Sequence, residues 1–166
     1  MLSMSSKKVP GESGDVAEAG AFALLVADVY EAAGVLRRLG ERSAATEGQT
    51  QARWQVLSVI SEGEWTVPMT ADRLGTSRQA VQRLANELVD DGLASFADNP
   101  RHRRSQFLRI TNDGRRVLDA ITTRAHTVNA ALLDDAGGIN IDAVRCALQQ
   151  LTLAVRARIQ AGESGS

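Results

Sequence analysis

The stretch Leu74-Gly75-Thr76-Ser77-Arg78-Gln79-Ala80-Val81-Gln82-Arg83-Leu84 decides the fold of this chain. Gly75 follows Leu74 where a short helix must end, because glycine takes the left-handed conformation at a helix C-terminus without a Cβ penalty. Thr76-Ser77-Arg78-Gln79 then has the form of a capping box, with Thr76 accepting from the Gln79 amide and the glutamine reaching back. The helix it starts runs to about Asp91 and is stopped by Gly92. Two short helices joined by a tight turn make a helix-turn-helix.

The second of these helices is two-sided. Ala80, Val81, Leu84 and Leu88 lie on one face and need a core to pack on. Ser77, Arg78, Gln79, Gln82, Arg83 and Asn86 lie on the other. Arginine matches the acceptors of guanine, and Gln and Asn match the edge of adenine, so this face carries the side chains of base reading. A solvated amphipathic helix has the same pattern.

Toward the C-terminus, Leu93 to Ala97 and Ser105 to Thr111 form a hairpin of two short strands, with Gln106, Leu108 and Ile110 on one face and Phe107 and Arg109 on the other. Pro100 sits at the tip, where no ladder amide is required. The tip Asp98-Asn99-Pro100-Arg101-His102-Arg103-Arg104 holds three arginines and a histidine in four successive positions, and the stretch 99–116 sets six arginines against one aspartate. A concentrated positive tip suits a minor groove, where the potential is most negative. A long fifth helix starts near Asn112 with the stripe Leu118, Ile121, Ala125, Val128 and Leu132. Gly137-Gly138 breaks it, and Asn140 caps a sixth helix. Its stripe, Ile141, Val144, Leu148, Leu151, Val155 and Ile159, is close to a heptad seam.

Toward the N-terminus, Thr66-Val67-Pro68 opens the third helix, with Thr as cap and Pro in the first turn. A second helix is expected over about 50–62, with Trp54, Leu57 and Ile60 as its stripe. A first helix is expected over about 16–45, with Phe22, Leu25, Val29, Ala33 and Leu36 at three- and four-residue steps.

The order helix, helix, strand, basic tip, strand, long helix resembles the MarR family of bacterial transcription regulators over about 20–160. The resemblance is carried by the segment 74–84, by Asp91-Gly92-Leu93, by Asn99-Pro100-Arg101-His102-Arg103-Arg104-Ser105, and by Leu108-Arg109-Ile110-Thr111-Asn112-Asp113-Gly114, which looks like the family's L-x-x-L-T-x-x-G. It implies a mainly α fold with a small β-hairpin wing, a winged helix-turn-helix flanked by N- and C-terminal dimerisation helices. The fourth helix would be the recognition helix, with Gln82 and Arg83 toward the major groove. Arg104 falls where the family places the arginine of its D-x-R wing motif. The Asp of that motif is His102 here, and Asp98 is the acid that could replace it; Asp90-Asp91 ends the helix where the family often has basic residues. Similar proteins often bind small aromatic acids near the junction of the dimer and DNA-binding parts, which points to Phe22, Trp54, Trp65 and Met69 as an effector pocket, although each of the four also suits plain core.

The expected organisation is a disordered tail over 1–15, an N-terminal dimerisation helix over 16–48, a winged helix-turn-helix over 49–111, C-terminal dimerisation helices over 112–160 and a second disordered tail over 161–166. The expected partners are double-stranded DNA, a second copy of the chain and a possible small aromatic effector. Alternatives are a winged-helix protein-interaction module without DNA function and a cysteine-based redox sensor.

Composition sets limits on these readings. The 166 residues carry 19 Lys and Arg against 20 Asp and Glu, so any attraction to nucleic acid must be local. The apolar run Ala19 to Leu36 is interrupted by Asp28 and Glu31 and no secretory signal is visible, so no membrane partner and a cytoplasmic location are expected. Cys146 is the single cysteine, which excludes an intrachain disulfide; beside Val144 and Leu148 it is expected to be packed and inert. His102 and His126 lack neighbours at ligand spacing, so no metal site is expected. With no nucleophile elbow, phosphate loop or paired-histidine motif, neither catalytic residues nor a cofactor is expected.

Overall fold

The computed structural model describes residues 12–102, 105–135 and 137–163, with side chains described within 20–162. The elements, in chain order, are α1 (Glu12–Ala45), α2 (Gln51–Ile60), β1 (Trp65–Thr66), α3 (Val67–Leu74), α4 (Arg78–Asp90), β2 (Ala94–Ala97), β3 (Phe107–Ile110), α5 (Asn112–Asp135) and α6 (Ile141–Glu163). They fall into two units, one running to Ala125 and one starting at His126.

The first unit is built on a mixed helix and sheet core. Val56, Leu57 and Ile60 of α2, Val81, Ala85 and Leu88 of α4, Leu108 of β3 and Leu118 of α5 are buried together. The apolar face expected for the fourth helix is therefore the face that packs. Trp54 and Trp65 lie half-buried against this cluster. Over the described side chains of α1, burial is confined to the C-terminal end: Gly40, Ser43 and Ala44 are buried, while Phe22, Leu25, Tyr30 and Leu36 are exposed.

Local signals explain most element ends. Thr66 caps α3, its hydroxyl accepting from the Met69 amide at 3.4 Å, and Pro68 lies in the first turn. Gly75 closes α3 at φ 62°, ψ 36°, the left-handed geometry that a glycine there permits. The capping box differs from expectation. Ser77, not Thr76, caps α4, accepting from the Ala80 amide at 3.1 Å. Thr76 is committed to the preceding helix, because its amide donates to the Ala71 carbonyl at 3.1 Å.

The sheet has three strands rather than two, in the order β1-β3-β2, all antiparallel. Trp65 pairs with Leu108 and Thr66 with Phe107, so the central strand is β3. A two-residue strand is too short to show alternation in sequence. Helix ends shift as well. The helix expected from 16 begins at Glu12, so 12–15 are helical. Residues 1–11 of the expected tail lie outside the described residues. The sixth helix continues to Glu163, past the expected end at 160, and 164–166 lie outside the described residues.

One junction closes the unit. The Thr111 amide donates to the Leu93 carbonyl at 3.1 Å, and the Thr111 hydroxyl donates to the Gly92 carbonyl at 2.7 Å while accepting from the Gly114 amide at 3.0 Å. Thr111 thus caps α5 and ties the end of the wing to the turn after α4. Gly114 is buried, and a Cβ there would lie 2.0 Å from the Leu93 carbonyl oxygen. The Thr-x-x-Gly spacing follows from these two requirements, a hydroxyl cap and a missing side chain.

The second unit comprises the last part of α5 and all of α6. Gly137 and Gly138 between them have φ of 42° and 101°. Asn140 caps α6 as expected, accepting from the Ala143 amide at 2.9 Å. Ile141, Val144, Leu148, Val155 and Ile159 of its stripe are exposed in the single chain.

Gly114→Ala provides a test of the junction. Inside a helix this change normally stabilises by about 1 kcal/mol. Here the Cβ meets backbone, so the variant is expected to lose roughly 1–3 kcal/mol, measured by urea unfolding. A neutral or stabilising result would show that the junction can yield.

Candidate nucleic-acid interface

Helix α4 presents one continuous polar face. Ser77, Arg78, Gln79, Gln82, Arg83 and Asn86 are all exposed. The face is partly pre-ordered: Gln82 Nε2 donates to Asn86 Oδ1 at 2.9 Å, and Arg83 Nη1 stands 4.0 Å from Glu87. The contact at Arg83 is long and solvent-exposed, so it holds the guanidinium only weakly. An open groove of about 430 Å³ separates this face from the wing. It is lined by Arg78, Gln79 and Gln82 on the α4 side, Phe96, Ser105 and Gln106 on the wing side, and Val67 and Pro68 of α3. Gln106 and Phe96 add to the site expected from sequence, and no motif marks them.

The wing tip is organised by Asn99. Its Oδ1 accepts from two amides, those of Arg101 at 3.1 Å and His102 at 3.3 Å, and its Nδ2 donates to the Ser105 carbonyl at 2.9 Å. Asn99 itself is 5% exposed. Asp98, the acid that could replace the motif's aspartate, is exposed beside it. The signal for Asn99 is present in Asn-Pro, a turn-forming pair in which the amide side chain bonds the following backbone. Arg101 and His102 are exposed at the tip; Arg103 and Arg104 lie outside the described residues.

Not all the arginines of the basic stretch serve the tip. Arg109 pairs with Glu64 at 2.7 Å, Arg115 donates to the Ser61 carbonyl at 3.2 Å, and Arg116 pairs with Asp113. Arg109 and Arg115 line a second cavity of about 270 Å³, between the end of α2 and the start of α5.

The acids at the end of α4 also have a structural account. Asp91 pairs with Arg53 of α2, whose side chain is only 14% exposed. This carboxylate is directed to a neighbouring helix, and its opposition to the helix dipole is offset by the guanidinium.

The four residues expected around an effector are distributed differently. Phe22 and Met69 are exposed on α1 and α3, and Trp54 and Trp65 are half-buried against the core. Trp54 lies against α1, where a Cβ on Gly40 would come 3.4 Å from its ring. None of the four lines either cavity. Cys146 is exposed on α6, against the expectation of a packed thiol, because in the single chain the stripe around it is uncovered. Among the described residues no group of three His, Cys, Asp or Glu gathers at metal-binding range, and no helix is long and apolar enough to cross a membrane.

A helix-turn-helix with an exposed polar second helix, flanked by a β-hairpin, defines a winged helix-turn-helix protein. Comparison with known proteins agrees. Residues 48–105 match the model of the MarR family. The uncharacterised protein Rv2011c of Mycobacterium tuberculosis is 54% identical over 136 residues, covering 82% of this chain and 95% of its own. The transcriptional activatory protein BadR of Rhodopseudomonas palustris is 28% identical over 122 residues, covering 71% and 70%. Among solved structures, the M. tuberculosis regulator MosR in complex with DNA superposes with a TM-score of 0.66 at 24% identity, covering 80% of this chain and 96% of that one. CouR of Rhodococcus jostii RHA1, bound to p-coumaroyl-CoA, gives 0.64 at 20% identity, covering 74% and 85%. The chain belongs to the MarR family and has the fold of its transcription regulators.

Asp91→Ala should therefore act on stability. Removing the carboxylate leaves the mostly buried Arg53 without its charged partner, at an expected cost of roughly 1–2 kcal/mol in thermal or urea unfolding. Unchanged stability would show that the pair holds nothing in place.

Proposed function

We propose that this protein is a sequence-specific regulator of transcription that binds double-stranded DNA as a homodimer and is released from it by a small aromatic effector, acting as a repressor. The observation that carries the DNA reading is the pairing of two surfaces across one groove: the exposed Gln/Arg/Asn face of α4 and the wing that carries Arg101 and His102 at its tip. In this reading Gln82, Arg83 and Asn86 reach base edges in the major groove, Ser77, Arg78 and Gln79 hold its rim, and Arg101, His102, Arg103 and Arg104 meet the flanking minor groove and phosphates. A net charge of −1 makes this local concentration necessary. The solved complex of MosR with DNA supports it. A protein-interaction module is disfavoured, because the exposed face of α4 is polar throughout and such modules present an apolar patch.

Dimerisation is proposed from the uncovered apolar surface. Each of α1 and α6 exposes a row of large apolar side chains, more than isolated surface residues require. A twofold dimer would present two recognition helices to successive major grooves of a near-palindromic site. Effector response is proposed on the ligand-bound state of CouR. Phe22, Trp54, Trp65 and Met69 remain its proposed lining, where the dimer part would meet the DNA-binding part. A ligand bound there weakens DNA binding only by its differential affinity for the two arrangements.

Selection of binding sites from random duplexes tests the DNA reading directly, and enrichment of a palindrome is the expected result. On the selected duplex, Gln82→Ala or Arg83→Ala should cost on the order of 1–3 kcal/mol and relax preference at one or two base pairs, with non-specific binding little changed. Retention of full specificity by both variants would overturn the assignment of α4.

Leu148→Asp with Leu151→Asp tests the dimer. Two carboxylates on the α6 stripe would have to be buried against apolar surface, so the variant is expected to sediment as a monomer where the parent chain is a dimer. A parent chain that is monomeric at micromolar concentration would remove the dimer from the proposal.

A further inference from the structure

Three hydrogen bonds of one buried side chain tie together the two limbs of the wing tip. Asn99 accepts from the amides of Arg101 and His102 on the outgoing limb and donates to the carbonyl of Ser105 on the returning limb. Two backbone bonds complete the loop, from the His102 amide to the Asn99 carbonyl at 3.2 Å and from the Ser105 amide to the His102 carbonyl at 2.9 Å. Ser105 and Gln106 belong to the wing wall of the groove that faces Gln79 and Gln82 of α4. The same side chain therefore fixes both the position from which Arg101 and His102 project and the wall opposite the recognition helix.

We infer that Asn99 is the positioning residue of the wing: it sets the geometry in which Arg101 and His102 meet the DNA backbone relative to α4. The inference rests on the DNA reading above. Its physical basis is the hydrogen-bond capacity of the carboxamide, which alone among short side chains supplies an acceptor for two amides and a donor for a carbonyl at once. An aspartate can accept from both amides but sets a carboxylate oxygen against the Ser105 carbonyl. A serine is shorter and has one oxygen to serve three partners. The loop lies beyond the end of β2, outside the apolar cluster of the first unit, so its order matters to the interface more than to the core.

The experiment compares full-length parent, Asn99→Ala and Asn99→Asp on the duplex obtained by selection. Dissociation constants are measured across salt concentration, with thermal unfolding in parallel. Asn99→Ala is expected to bind about tenfold more weakly, because two to three hydrogen bonds that order the tip are absent, and to unfold at nearly the parent temperature. Its log–log salt slope should fall by about 0.9 for each phosphate that the unheld tip no longer neutralises. Asn99→Asp should recover part of the affinity and slope, having kept the two accepted bonds. Amide exchange at Arg101 and His102 should be fast in the alanine variant and slow in the parent. If Asn99→Ala keeps the parent's affinity and slope, the positioning role is wrong and the DNA reading stands. Weaker binding with an unchanged slope and a lowered unfolding temperature assigns Asn99 to the fold alone and also overturns the inference. A parent chain that binds no duplex overturns both readings together.

Discussion

The carbonyl of Leu93 is the point on which the first unit closes. It lies just past the turn that ends α4, it accepts the amide of Thr111 at the end of the wing, and it occupies the space where a side chain on Gly114 would be. Helix α4, the hairpin and the long helix that follows therefore share one backbone contact. Because the contact is between main-chain groups, no side-chain rearrangement can compensate for a Cβ at Gly114. The helix that carries the polar face is tied to the end of the wing as a consequence.

A second tie acts at the other side of α4. Arg53 of α2 reaches Asp91 at the helix end, and the first turn of α2 is itself held to α1, with the Gln51 amide donating to Glu41 Oε2 at 2.7 Å. Two successive polar contacts thus connect α1 to the C-terminal end of α4. The acids of Asp90-Asp91, unfavourable in isolation at a negative helix end, make sense in this setting, because one of them neutralises a guanidinium that is mostly buried. Charge that looks misplaced for a DNA-binding surface is spent on holding one helix to another.

The same distinction applies to the arginines. A dense basic stretch gives a strong electrostatic signal, yet Arg109, Arg115 and Arg116 are each engaged with Glu64, Ser61 or Asp113. In the DNA reading proposed above, phosphate contacts would position the protein on its duplex and base contacts would choose the sequence. Asn99 orders the backbone of the tip through Arg101, His102 and Ser105, and the Gln82–Asn86 bond orders two amides on the α4 face.

The sequence by itself determined the helices and their faces. Apolar spacing placed Val81 and Leu88 inward and Gln82 and Arg83 outward, and that division depends only on the 3.6-residue period. Glycines, caps and Pro68 set most boundaries for equally local reasons, and the motif Thr111-x-x-Gly114 marks the junction although its cause lies in three dimensions. What tertiary structure decided were contacts between residues far apart in the chain. The two-residue strand at Trp65 exists only because β3 offers it a partner. Ser77 rather than Thr76 caps α4 because the Thr76 amide completes the turn of α3. The partner of Asp91 is 38 residues away, and the exposure of Cys146 depends on what covers α6. Local periodicity carries no information about such pairings, since they are fixed by packing between elements and not by the order of residues within one.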